Sequence, residues 1–326
     1  MEFLHLISQN LLSPTILFFI LGITAGLLKS DLEVPESISR YLSIYLMMAI
    51  GFKGGVAIAN THDLNSEVIA AISAGLVISF LQPFLGYRIL KITTRLDSPT
   101  AAAVAAHYGS VSMVTFVTAT LFLKTNEVVY AGYVVAILAL MEAPAILSGL
   151  FIAHRAVPET KHCSEEKKLS REIFTNGAIL LLSGTFLIGW ITGQSGMDKV
   201  EGFLSTPFQG VLCLFLLDMG LLVAKNLHHL RSFTWLLALF GIYMPLIGAS
   251  IGLFTSRIIG LDVGTGTLFI VICASASYIA VPAAMRLVLP EAKSAIYVPM
   301  SLAITFPFNV TVGIPLYFAL ACKILS

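Results

Sequence analysis

Charge is scarce in this sequence. Only 11% of its 326 residues are Asp, Glu, Lys or Arg, while 57% are hydrophobic and the mean hydropathy is +0.91. Soluble domains carry about a quarter charged residues, so a soluble globular fold is excluded. The net charge of +1 says nothing about a polyanionic partner, but no basic stripe and no aromatic-basic run suggests nucleic acid, and no such partner is expected. Cysteine is equally sparse. The four cysteines, at 163, 213, 273 and 322, lack metal-type spacing, and Cys213 and Cys273 fall inside apolar runs, where a thiol packs as a small apolar group. The constellations of soluble enzymes are missing as well: there is no H-E-x-x-H, no G-x-S-x-G and no P-loop. No enzymatic activity is expected. The opening residues, MEFLHLISQNLLS, hold no Lys or Arg and so lack the basic start of a cleaved signal peptide; the first span is expected to be retained.

What the chain has instead is long apolar runs, near 11–28, 41–59, 68–90, 98–123, 128–153, 173–193, 206–224, 232–256, 264–289 and 296–322. A helix needs roughly 20 residues to cross a hydrocarbon core of about 30 Å, so the expected fold class is an all-α polytopic membrane protein with ten transmembrane helices. If the chain changes sides at each span, 14 of the 19 basic residues collect on one face, among them Lys29, Arg88, Lys167, Lys225 and Lys293. The positive-inside rule makes that face cytoplasmic and puts both termini outside.

The most charged stretch, PETKHCSEEKKLSRE, lies midway and reads as a cytoplasmic linker, 156–172, between two five-span halves, 1–155 and 173–326. At an offset of about 165 the punctuation of the halves coincides: LGITAG meets IGWITG, Gly54 meets Gly220, PFLG meets PLIG, Ser110-Val-Ser112 meets Ser275-Ala-Ser277, and Pro144 falls opposite Pro307. An odd number of spans per half makes the repeats inverted, an architecture of secondary transporters.

The two Ser-x-Ser motifs interrupt the fourth and ninth spans. A broken membrane helix exposes backbone groups that cost several kcal/mol in hydrocarbon unless protein, water or ligand satisfies them. Two half-helix N-termini meeting near the midplane, each equivalent to roughly half a positive charge, favour a small anion. Carbonyl ends with Ser and Thr oxygens suit sodium. The candidate anion site comprises Gly109, Ser110, Val111 and Ser112 with Ser275, Ala276, Ser277 and Tyr278; the coupling sodium is expected at Thr115, Glu142, Ala274 and Ser275. Lys53 and Asp218, 165 residues apart within spans, are candidates for a buried charge pair. Glu142 is followed by Pro144, where the helix is expected to kink, and His107 precedes Gly109 by two residues.

The order of SPTILFFILG, IGFKGGVAIAN, YGSVSMVT, MEAPAILSGLFIA and ASASYIAVPAAM resembles the sodium-dependent bicarbonate transporter family of cyanobacteria, along essentially the whole chain. The resemblance implies a core domain moving against a gate domain and a homotrimer in a bacterial inner membrane. It also implies symport of bicarbonate with sodium, no cofactor beyond that ion, and the anion bound between the two breaks. Relatives of this kind are inhibited by a PII-like trimeric regulator, but the linker of this chain is short. Tyr278 stands where the family typically has an aspartate, and Met113 where a glycine can follow the first serine pair. A cation/proton antiporter using Glu142, Asp218, Lys53 and His107, and a membrane sensor of a small anion that has lost turnover, are the alternative readings.

Overall fold

In a bilayer the backbone must satisfy its own hydrogen bonds, which leaves apolar runs little choice but the helix. The computed structural model describes residues 11–60, 66–156, 177–227, 234–278 and 291–326, with single positions 281, 285 and 289. Its helices fall in order on the apolar runs: α1 (Pro14–Leu27), α2 (Glu36–Ala59), α3 (Ser66–Thr93), α4 (Ser98–Gly109), α5 (Met113–Thr125), α6 (Val134–Ala156), α7 (Gly177–Leu204), α8 (Phe208–Asn226), α9 (Trp235–Ile259), α10 (Val263–Ala274) and α11 (Ser294–Ile324). Among the described residues, six segments are long and apolar enough to cross a membrane, counting α4 and α5 as one, and α1 and α10 are shorter apolar helices. The protein is a polytopic helical membrane protein. The 156–172 linker lies outside the described residues, apart from Ala156 at the end of α6.

Helix α1 runs along α8, and α2 runs along α7. Glycines let the backbones touch. A methyl group on Gly22 would strike the Leu217 carbonyl, and one on Gly220 the Phe19 carbonyl; in the other pair Gly55 faces the Phe186 carbonyl and Gly189 the Phe52 carbonyl. Close approach of this kind replaces the hydrophobic drive that lipid cannot supply. Gly55, and not the Gly54 matched with Gly220 from the sequence, makes a contact of the same kind as that of Gly220, because Gly54 packs on Val135 of α6. The second group of helices sets α3 against α4 and α6, and α9 against α10 and α11.

The two short helices that enter this second group are built alike. Each has 12 residues, and each starts at an aspartate whose side chain accepts from a threonine amide: Asp97 from Thr100 at 2.8 Å, Asp262 from Thr265 at 3.0 Å. Such caps satisfy first-turn N–H groups that have no partner within the helix.

Asp97 also meets Lys293, at the start of α11, at 3.1 Å. Partial burial pushes the Asp97 carboxyl up, but the Thr100 donors and the Lys293 ammonium outweigh it and hold the group below its ordinary value. A depressed folded-state pKa stabilises above the unfolded value and the contribution disappears as pH falls through the folded value. Asp97→Asn keeps an oxygen that can cap α4 but removes the charge facing Lys293, and is accordingly expected to lower the melting temperature at about pH 7 by the roughly 0.2–1 kcal/mol of a largely exposed ion pair, with the difference from the parent shrinking below about pH 4. Paired thermal melts at the two pH values check this.

Two features depart from the sequence reading. The sixth span was expected to end at Gly193, whereas α7 continues to Leu204 across a kink at that residue (φ 56°, ψ −151°), a conformation that glycine adopts without steric cost. Helix α11 is not uniform: residues Met300–Thr305 and Asn309–Gly313 are π-helical, separated by Phe306–Phe308. Pro299, Pro307 and Pro315 punctuate this run and withhold amides from the regular ladder.

Candidate functional site

The first break lies between α4 and α5. Ser110 leaves α4 in extended conformation (φ −95°, ψ 169°), and Ser112 caps α5, its Oγ accepting from the Thr115 amide at 3.2 Å and from the Thr115 hydroxyl at 2.9 Å. The second break repeats the pattern. Ser275 leaves α10 at φ −87°, ψ 168°, residues 275–277 are non-helical, and positions 281 and 285 are helical again. The Val281 amide points at Ser277 Oγ at 3.5 Å, as the Thr115 amide does at Ser112.

The breaks are joined to one another directly. The Ser112 amide donates to Ser275 Oγ at 3.0 Å, and the Ser277 amide donates to the His107 carbonyl at 2.9 Å. The two segments that carry the eight residues of the expected anion site, 109–112 and 275–278, are thus held side by side. Ser110, Val111, Ser112, Ser275, Ala276 and Ser277 are each no more than 3% exposed. Gly109 is required by crowding: a methyl group there would overlap Pro83 of α3 and approach the Ser79 carbonyl to 2.6 Å. The Tyr278 ring packs edge-on against Phe306, and its buried hydroxyl faces Ser112 without a hydrogen bond of normal geometry. That hydroxyl is a polar group without a partner in a dry place, where a ligand oxygen is favoured.

For the expected cation site, Thr115 is linked through Ser112 to Ser275, which follows Ala274 in the chain, and the structure adds restraints that sequence reasoning missed. The Ala274 carbonyl accepts from Asn309 Nδ2 at 2.9 Å, and Asn309 Oδ1 in turn accepts from the Tyr317 hydroxyl at 2.8 Å. One residue earlier in α10 the Cys273 carbonyl accepts from Gln82 Nε2 at 2.9 Å. Ser275 Oγ donates to the Ile272 carbonyl at 3.0 Å. Carboxamides from α3 and α11 thereby hold the carbonyl end of α10. Lone amide side chains in apolar runs, Gln82 beside Pro83 and Asn309 two residues after Pro307, were the available signal. Glu142 belongs to α6, which contains Pro144, but its side chain lies outside the described residues.

Lys53 and Asp218 are not brought together. Lys53 Nζ sits over the Phe208 ring, 4.3 Å from its centroid, while Asp218 accepts from the Ser39 hydroxyl. Equivalent places in two halves related by an inverted axis need not be adjacent places. His107 is fully buried, its Nδ1 bonded to the Ala103 carbonyl at 2.6 Å and its ring against Tyr297, with Nε2 unpartnered.

Chemically, the crossing offers first-turn amides, hydroxyls and carbonyls, and no charged group among the described residues touching it. Such a set suits a small anion held by dipoles and hydroxyls, with a cation at the carbonyl end. A family model described as the Na+-dependent bicarbonate transporter superfamily matches residues 14–322. No curated protein matches the chain.

Proposed function

The chain belongs to the Na+-dependent bicarbonate transporter superfamily, and from that premise we propose that it imports bicarbonate together with sodium across a bacterial inner membrane by alternating access. The transported anion sits between the breaks, against Ser110, Ser112, Ser275 and Ser277, with Tyr278 supplying a further hydroxyl. Sodium takes oxygens from Thr115, Ala274 and Ser275, with Glu142 as the nearest candidate carboxylate in sequence. The observation that carries this reading is the direct hydrogen bonding of two like-built breaks, Ser112 N–H to Ser275 Oγ and Ser277 N–H to the His107 carbonyl.

Supporting the ten-helix inverted repeat, 1–155 and 173–326, are the aspartate caps 165 residues apart and the exchange of glycine contacts, α1 on α8 and α2 on α7. In that scheme α1, α2, α7 and α8 form the gate, and the helices bearing the breaks form the moving core. Both termini face outward, and three copies assemble in the lipid; a PII-like regulator has no stated support in the linker. Sodium is cargo here, and the scheme needs no cofactor and no catalytic group.

Uptake of labelled bicarbonate into proteoliposomes, with and without an inward sodium gradient, tests the proposal. Accumulation that follows the sodium gradient is expected. Gradient-independent uptake would remove the coupling, and absence of bicarbonate uptake together with pH-driven sodium efflux would establish the antiport reading instead.

A further inference from the structure

A cavity of about 620 Å³ opens away from the breaks, between α2, α5 and the connection from α7 to α8. Its polar lining includes Lys53, Lys124, Glu127, Tyr130, Thr120 and Gln209. Helix α5 links it to the first break: Ser112 caps one end of the helix, and Phe116, Thr120 and Lys124 line the cavity along it, spanning roughly 6 to 18 Å from that cap at 1.5 Å per residue.

The charges of this cavity do not balance. Two lysines meet one carboxylate there: Lys124 lies in the last turn of α5, Glu127 follows it by three residues, and Lys53 has no carboxylate partner within ion-pair distance among the described residues. The face of Phe208 receives part of the Lys53 charge. An ammonium inside an apolar helix is costly unless something of opposite sign reaches it. Here an open cavity reaches it, with hydroxyl and amide donors beside it. The volume holds roughly twenty waters at ~30 Å³ each, so an anion there keeps part of its hydration and exchanges readily.

We propose that this cavity is a second anion site, a low-affinity capture site for small monovalent oxyanions such as bicarbonate, with Lys53 as its charge. It rests on the transport reading above, under which the cavity lies on the outer face and feeds the breaks. Lys53 concentrates the anion, and Lys124 neutralises the negative end of the α5 dipole, which otherwise repels it.

Line broadening of ¹³C-bicarbonate by the purified full-length protein, in sodium-free buffer at fixed pH, tests the site directly. Wild-type protein is expected to broaden the resonance. Lys53→Met is expected to weaken the effect about tenfold, as the loss of one nearby charge warrants, whereas Lys53→Arg retains it and Ser110→Trp, at a residue that does not line the cavity, leaves it in place. Melting temperatures confirm that the variants are folded. Unchanged broadening in Lys53→Met shows a merely solvated lysine and overturns the proposal, as does loss of broadening in both Lys53→Met and Lys53→Arg, or its loss in Ser110→Trp. Sodium-free broadening that needs Lys53, in a protein that shows no sodium-driven uptake, overturns the transport reading and leaves the cavity site standing.

Discussion

Valine at position 220 is expected to abolish recovery of folded protein, while alanine at position 202 is expected to raise the melting temperature. Both are glycines within helices, but they face opposite environments. A side chain at Gly220 meets the Phe19 carbonyl and the backbone of Ile23, whereas one at Gly202 meets nothing within 4 Å. Ordinary overpacking costs about 1–3 kcal/mol because side chains rearrange. Here the obstacle is main chain, so α1 and α8 must separate along their length and surrender the contact that holds them in lipid. Gly55→Val, aimed at the Phe186 carbonyl, is expected to behave in the same way at the matching α2–α7 contact. Gly202→Ala, by contrast, removes unfolded-state entropy from an exposed helical position and gains up to about 1 kcal/mol. Fluorescence-detected gel filtration and thermal melts in one detergent measure all three. A Gly220→Val protein that elutes and melts like its parent would mean that the helices do not touch as described.

That contrast also marks how far the sequence could be read. Helix positions followed from hydropathy, because length and apolarity dictate where backbone must satisfy itself. The breaks at 110–112 and 275–277 were visible because Ser-x-Ser interrupts apolar runs at matched places. The register of the glycines was not. Gly54 and Gly55 are adjacent, and only packing tells which of them faces α7 and which faces Val135. The continuation of α7 through Gly193 was hidden for a related reason, since a glycine that ends one helix and a glycine that kinks one look alike in a sequence. Lys53 and Asp218 were matched by offset, but offset reports equivalence and says nothing of distance. Asn309 stood out only as a lone amide in an apolar run, a signal that does not reveal its partner, a main-chain carbonyl 35 residues away.

The largest functional effect is expected from filling the crossing itself. Ser110→Trp and Ser277→Trp each place an indole where the parent side chain is no more than 2% exposed. An indole there must displace the segments packed about the breaks, where even a methyl on Gly109 would overlap Pro83 and the Ser277 amide is tied to the His107 carbonyl. Sodium-driven bicarbonate uptake is therefore expected to fall by roughly 100-fold or more, the scale on which misplacing bound groups by about 1 Å acts in sites that depend on positioning. Since tryptophan at a buried site can also unfold a protein, a gentler variant accompanies it. Ser112→Ala deletes the cap of α5 and the acceptor of the Thr115 hydroxyl, a change worth about 1 kcal/mol in stability. It leaves helix packing intact, so it is expected to raise the KM for bicarbonate or sodium more than it lowers the melting temperature. Transport kinetics like the parent's in folded Ser110→Trp, Ser277→Trp and Ser112→Ala would remove the anion from the breaks. A rise in KM for sodium alone in Ser112→Ala would instead assign that serine to the cation, through the hydroxyl of Thr115 that it holds in place.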